Sequence, residues 1–431
     1  MAKIESVARE CLEYLRKAGA DNGVCVASVG TKTEFYYESG NLGLMRTVHN
    51  VSVSLKALVG SRKGTASVNS FDEADLRRAA AEAVESAKVS KEDPAEGLPD
   101  VVTVQTFEKG PMTPDPEVML SRLSEFFAEL KEKYPSVSVD SASIDHSVGE
   151  SVTCTTNGVC LTVRNGVYSF SPMFMCKDGE KTSSFNYFGA LFSDPDVSLM
   201  ELGDGRRIIE DSLRQINPTP FQGKEVGEVI FTPSCFDDLL GSVEGNFISD
   251  TVLMNGTSIW KDKIGQPVAV PSFTWSSCPR SEELAGGYFI TDGYVAQNME
   301  IVRDGVLQNF VIGRYASKKT GIPRSVSGGG CYFVDAGDVS LEEMISKVKH
   351  GLLVGRFSGG APSTDGTFSG IAKNSFEIRD GKIVGAVTEA MISGNLAEIL
   401  LNICDLSKER INDGNSCLPW VRAKGITISG Q

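Results

Sequence analysis

The sequence predicts an α+β fold in two parts: an N-terminal mixed α/β domain over residues 1–216 and a β-rich C-terminal domain with antiparallel hairpins over residues 217–431. Three observations carry this expectation. At 431 residues the chain exceeds what one hydrophobic core usually organises. Amphipathic helical stripes mix with β-prone runs in the first half. Asn-Gly and Asp-Gly pairs recur between β-prone runs from Asn157 onward, where two-residue hairpin turns need positive φ, and hairpins dominate after residue 223. The Pro- and Gly-bearing stretch 217–223 marks the boundary between the two regimes.

Taken in order, Val7, Ala8, Cys11, Leu12 and Leu15 share one face at helical spacing, with Gly19 placed to end the helix. Residues 24–38 and 44–59 read as strands, rich in Val, Tyr, Phe and Thr. Ser70 and Glu73 have the spacing of a capping box ahead of a stripe formed by Leu76, Ala79, Ala80, Ala83, Val84 and Ala87. A Pro-rich passage runs from Pro94 to Pro116. There Asp115-Pro116 forms a cap and first-turn pair for a helix carrying Leu120, Leu123, Phe126, Phe127 and Leu130. Asn157-Gly158, Asn165-Gly166, Asp178-Gly179, Asp304-Gly305 and Asp380-Gly381 are the turn candidates. Later helices are expected near Thr232 or Ser234, after the Ser340/Glu343 capping box, and from Gly394 with Leu396, Ile399, Leu400 and Ile403 inward.

Composition narrows the function classes. The 56 acidic residues outnumber 42 basic ones, a formal charge of -14, which is the wrong sign for following a phosphate backbone. The densest basic pairs, Arg62-Lys63, Arg77-Arg78 and Lys318-Lys319, read as solvated surface, so direct nucleic-acid binding is not expected. Ten cysteines without a C-x-x-C spacing indicate neither a disulfide framework nor a zinc ribbon, and suit a reducing cytoplasm. The opening segment is amphipathic, and no apolar run approaches the roughly 18 residues of a spanning helix. Neither export nor membrane insertion is expected.

For chemistry, His49, His146 and His350 are the only histidines, and their separations allow neither HExxH nor HExxxH. No catalytic or metal-ligating set is assigned to this chain. There is no G-x-S-x-G elbow and no Walker A or G-x-G-x-x-G loop. Cys331 and Cys417 are the thiol candidates, and the Tyr-Phe-Val after Cys331 suggests a buried strand entry. Gly328, Gly329 and Gly330, and Ser358, Gly359 and Gly360, are candidate substrate-binding residues, able to offer backbone groups to an extended peptide. The alternative is that both runs are tight turns.

An ordered series of segments resembles the TldD/PmbA proteins, and within them the PmbA (TldE) branch. These are Gly60-Ser61-Arg62-Lys63-Gly64-Thr65-Ala66-Ser67, Ile301-Val302-Arg303-Asp304-Gly305-Val306-Leu307 and Arg314-Tyr315-Ala316-Ser317-Lys318-Lys319. Then follow Gly351-Leu352-Leu353-Val354, Asp365-Gly366-Thr367-Phe368-Ser369-Gly370, Ile392-Ser393-Gly394-Asn395-Leu396 and Ile428-Ser429-Gly430-Gln431. The resemblance implies a cytoplasmic peptidase in which TldD-like and TldE-like subunits pair and unfolded or short peptides enter an enclosed chamber. Zinc is expected only on the TldD-like partner, and no cofactor in this chain. The partner's HExxxH helix corresponds here to residues 234–245. Phe236, Asp237, Asp238 and Gly241 there form a degenerate metal-helix region, and no histidine lies between His146 and His350.

The family has also been called a modulator of DNA gyrase and is associated with maturing peptide antibiotic precursors and degrading an addiction antitoxin. The expected role is therefore a metal-free subunit that shapes the chamber and binds substrate, in a heterodimer with a TldD-like subunit or as a homodimer. The alternative is a non-enzymatic dimeric peptide-binding or regulatory protein of the gyrase-modulator kind. A thiol hydrolase using Cys331 or Cys417 is the third reading.

Overall fold

The computed structural model describes residues 2–38 and 41–431. Its first sheet is built from very long strands. Asn22–Glu38, Asn41–Val59, Val137–Thr155 and Cys160–Asp178 pair antiparallel in long ladders, with Arg62–Val68 on one edge and Val104–Lys109, parallel to its neighbour, on the other. Because strand side chains alternate, Cys25, Ala27 and Phe35 share one face, and so do Ile144 and Val152. Helices cover that face at both ends. Ala2–Ala18 and Glu73–Val89 pack over Cys25, Val53 and Val152. Pro116–Lys133 and Gly205–Arg214 pack over Phe35, Ile144 and Phe170. Gly64 shows how tight the first layer is: a Cβ there would lie 2.0 Å from the Ala83 carbonyl oxygen, so only glycine lets strand and helix approach.

The second sheet is organised by Cys417–Ser429. It pairs antiparallel with Lys224–Phe231, Met391–Asn395 and Ile403–Asn412, and parallel with Tyr332–Val334. Where its central strands meet, they are buried on both faces. Val229 and Phe231 enter the main core while Ile230 enters a second core with Met344, Phe376 and Trp420, which explains the unbroken Val-Ile-Phe run. The α+β class read from the sequence holds.

The Pro-rich passage is clamped onto the later half. Arg314 Nη1 donates to the Ala95 carbonyl at 2.9 Å, Tyr315 donates to Asp93 at 2.7 Å, and Lys109 Nζ donates to the carbonyls of Ser281 and Gly286 at 2.8 and 3.0 Å. Part of this passage, Val104–Lys109, is a strand that prolines on either side hid from sequence reading.

Four local expectations need correction. Asn165-Gly166 is not a turn but lies inside Cys160–Asp178; its glycine admits the Pro111 carbonyl, 1.7 Å from where a Cβ would sit. Ser70 does not cap its helix, which begins at Glu73 with Asp72 as N-cap; the Ser70 hydroxyl instead accepts from the Asp72 N–H at 3.0 Å. Gly394 lies inside the strand Met391–Asn395 rather than starting a helix, and Asn395 caps the short helix Leu396–Leu401 by accepting from Ala397 and Glu398, while Ile403 already belongs to the next strand. In Pro116–Lys133 the buried stripe uses Met119, and Leu120 is exposed. The Asp304-Gly305 and Asp380-Gly381 turns do carry positive φ at both residues.

Candidate functional site

The helix Pro233–Val243 follows directly from the buried strand Lys224–Phe231. Thr232 makes the junction: its Oγ1 accepts from the Cys235 N–H at 3.3 Å and donates to the Gly355 carbonyl at 3.0 Å. Cys235, Phe236, Leu239, Leu240 and Val243 form the buried stripe. Phe236 is therefore a core residue, set edge-on to Phe273, and cannot face a substrate. Ser234, Asp237, Asp238 and Gly241 occupy the opposite, accessible face. A Cβ at Gly241 would meet no atom within 4 Å, so the glycine leaves a gap rather than filling one. After Val243 the helix widens into a π-turn, Glu244–Ile248, a form often found at functional positions.

Carboxyl groups along this helix are held in their protonated direction. Burial, then the negative charges of Asp413 and Asp238, push Asp237 up to about 7, against a hydrogen bond from Ser416 that opposes the shift. The Asp237 Oδ1 is buried without a hydrogen-bond partner. Asp413 is fixed by its own turn, its Oδ1 accepting from the N–H groups of Asn415 and Ser416 at 2.8 Å each. Burial raises Asp238 as well, with Arg356 opposing. Burial raises Glu244, opposed by Tyr332 and by the Gly330 N–H. A carboxyl titrating near neutrality can accept or return a proton and can hold a peptide N–H or C=O according to its state.

The two glycine runs flank this helix but differ in character. Gly328–Gly330 lies at its C-terminal end and is tied down. Glu244 Oε2 accepts from Gly330 N–H at 3.2 Å, and a Cβ on Gly329 would lie 2.3 Å from that carboxylate. The Tyr288 hydroxyl accepts from Gly328 N–H and donates to the Gly329 carbonyl, both at 2.8 Å. Gly328 alone is exposed. Ser358, Gly359 and Gly360 lie at the end of strand Arg356–Gly359, with both glycines exposed and Gly360 facing open space. Asn246 Nδ2, in the π-turn, reaches the Pro362 carbonyl at 3.5 Å, two residues beyond Gly360.

The three histidines are engaged in separate places. His49 shares a hydrogen bond with Thr31 at 2.9 Å, and His146 is buried with its Nε2 2.8 Å from the Pro111 carbonyl oxygen. His350 is held between Glu225 and Glu377 at 2.8 Å on either ring nitrogen. Among the described residues no three His, Cys, Asp or Glu side chains are grouped to hold a metal ion. On the helix, two adjacent carboxyls and a glycine do not fit the ligand set of a catalytic zinc. Cys331 has φ +49 and Cys417 is buried; burial raises both thiols, so neither is poised as a nucleophile.

Sequence reasoning missed Glu244, Tyr332, Asp413 and Ser416. Only the Asp413-Gly414 pair carried a local signal, that of a turn. The rest meet the helix through tertiary packing. Beside Pro233 and Ser234 a cavity of ≈190 Å³ leads to Asp413 and Ser416.

The later half, residues 224–430, matches the family model described as the PmbA/TldA metallopeptidase C-terminal domain. A metalloprotease PmbA homolog of Haemophilus influenzae is 24% identical over 97% of this chain and 94% of its own. Metalloprotease PmbA of Escherichia coli O157:H7 is 22% identical over 85% of this chain and 84% of its own. Among solved structures, TldE from Thermococcus kodakarensis is similar with a TM-score of 0.82 at 19% identity, covering 98% of this chain and 100% of that one. A proposed modulator of DNA gyrase from Bacteroides thetaiotaomicron reaches 0.86 at 20% identity, covering 99% of each.

Proposed function

Since this chain belongs to the PmbA/TldD metalloprotease family, with the family's C-terminal domain at residues 224–430, we propose that it is the metal-free subunit of a TldD/TldE-type peptidase. In this reading it shapes the chamber and binds unfolded or short peptides, while a TldD-like partner carries zinc and performs hydrolysis in the cytoplasm. One observation carries the reading. The accessible face of the helix Pro233–Val243 presents Asp237, Asp238 and Gly241, and all three histidines are engaged in other parts of the fold. A metallopeptidase needs an ion to activate water and polarise the scissile carbonyl, and this helix offers no set of ligands for one.

What the face does offer suits substrate. Asp237 titrating near neutrality, a raised Asp238 beside it, a gap at Gly241 and exposed backbone at Gly359 and Gly360 can line an extended chain without cutting it. The test is reconstitution. The purified chain should retain no stoichiometric zinc and cleave no peptide, and should elute with a TldD-like subunit and support hydrolysis in the mixture. Stoichiometric zinc together with peptide cleavage by the pure chain would sink the reading. Failure to pair with any HExxxH-bearing relative would favour the non-enzymatic peptide-binding alternative.

A further inference from the structure

A second cavity, of ≈60 Å³, lies where helix Gly205–Arg214 meets the junction Thr232–Pro233. It shares Tyr187, Ile208, Pro233, Ser234 and Ile411 as walls with the cavity that leads to Asp413 and Ser416, so the two form one crevice. Two of its lining side chains break the rule that buried polar groups are paired. Gln215 is 5% exposed and its Nε2 has no hydrogen-bond partner. Asn374 is 9% exposed and its Oδ1 has none. The Asn374 orientation is set by the other end of the amide, whose Nδ2 donates to the Phe185 carbonyl at 3.3 Å. Backbone geometry fixes it further, at φ +52. A buried donor or acceptor left unpaired is destabilising, so a cavity lined by one residue with a spare donor and another with a spare acceptor needs an explanation.

The charges around it cancel. Arg207 pairs with Asp204 and, at 2.9 Å, with Asp211, while Arg356 lies 4.4 Å over the Tyr187 ring and faces Asp238. Leu353, Phe376 and Ile411 complete apolar walls. A cavity that is neutral, partly apolar and supplied with one donor and one acceptor on separate residues disfavours a carboxylate or an ammonium. It matches a group with its own donor and acceptor on separate atoms.

We propose that this cavity is a side-chain pocket for a primary carboxamide, the end group of a glutamine or asparagine in a bound peptide. The ligand carbonyl accepts from Gln215 Nε2 and the ligand NH₂ donates to Asn374 Oδ1. The crevice then carries the peptide main chain toward Asp413, Ser416 and the accessible face of the helix at Asp237. This rests on the peptide-binding part of the reading above but needs neither zinc nor a partner subunit.

The test is therefore made on the purified chain alone. Calorimetric titration would compare Gly-Gly-Gln-Gly-Gly with Gly-Gly-Glu-Gly-Gly and with pentaglycine, all with free termini. The glutamine peptide should bind about tenfold more tightly than either, the scale of one amide pair satisfied in a buried site. Gln215→Met keeps the length and removes the donor, and should abolish the preference while leaving thermal stability unchanged or raised. Asn374→Gly suits the positive φ, removes the acceptor and provides the second arm. Equal binding of the three peptides would mean that the two amides hold only water, and overturns the proposal. So does a preference that survives both substitutions. A chain that prefers the glutamine peptide yet pairs with no zinc subunit would leave the pocket standing and remove the subunit assignment.

Discussion

The carboxylate of Glu244 accepts a hydrogen bond from the Tyr332 hydroxyl at 2.8 Å, joining the π-turn that follows the helix Pro233–Val243 to the strand behind the glycine run. The same Oε2 takes the Gly330 N–H, so one carboxylate fixes two segments that are far apart in sequence. Glu244→Ala should leave a buried hydroxyl and a backbone N–H unpaired and lower stability by about 2–3 kcal/mol. Glu244→Gln keeps an acceptor oxygen and should cost less than about 1 kcal/mol. Urea unfolding of both variants checks this; a wild-type midpoint for the alanine variant would show that the clamp contributes nothing.

Asp237 should make stability depend on pH in the opposite sense to an ion-paired carboxylate. Its proton is held to about 7 in the folded chain, against 3.8 ordinarily. Through that window the folded state binds a proton that the unfolded state has released, so stability falls as pH rises from 4 to 7 and levels off above. Asp237→Asn should match the wild type near pH 4 and exceed it at pH 8 by on the order of 2 kcal/mol. Parallel stability profiles for the two proteins would contradict the burial argument.

His350 gives the converse case. Burial alone would lower it, but hydrogen bonds to Glu377 and Glu225 prevail and raise it, with Arg379 sharing Glu377 and Phe221 stacked on the ring. Its charged form stabilises the fold fully below the ordinary value of 6.5, and that contribution fades as pH rises through the folded value. His350→Gln should cost about 1 kcal/mol at pH 6, a figure discounted because the ring is a third exposed. The gap should narrow at pH 9. A gap that widens with pH would mean that the imidazole acts by packing alone.

How far the sequence spoke for itself follows from the range of the forces involved. Asp115, Thr232 and Ser340 all cap helices by accepting from the N–H group three positions on, and such signals survive in local sequence. Asn165-Gly166 misled because glycine serves close approach as readily as a turn, and only the folded chain shows Pro111 arriving there. The same limit hides the candidate site. Asp237 could be singled out from its helix, but nothing local to it announces Asp413, and nothing local to Gln215 announces Asn374. Phe236, placed with Asp237 in the degenerate metal-helix region by the resemblance, points into the core because neighbours on a helix are about 100° apart.

The cysteines supply the sharpest check on whether this chain does covalent chemistry of its own. Seven are buried, and only Cys278, Cys331 and Cys404 are partly accessible. Cys154 and Cys160 sit 3.2 Å apart across a hairpin, but burial holds Cys154 up to about 12, where a thiol is inert. Among the accessible three, burial pushes Cys278 up to about 11 and raises Cys331 and Cys404. A thiol at that value is ionised in only about one molecule in ten thousand at neutral pH, and the thiolate is the attacking species. Maleimide should therefore modify no more than three thiols per native chain at pH 7, slowly, and all ten after denaturation. Cys331→Ala and Cys417→Ala should leave peptide binding and partner-dependent hydrolysis unchanged. Rapid labelling of Cys331 together with loss of hydrolysis in its alanine variant would restore the thiol-hydrolase reading, because burial would then have been outweighed by the positive charge of Lys109, which favours its ionised form.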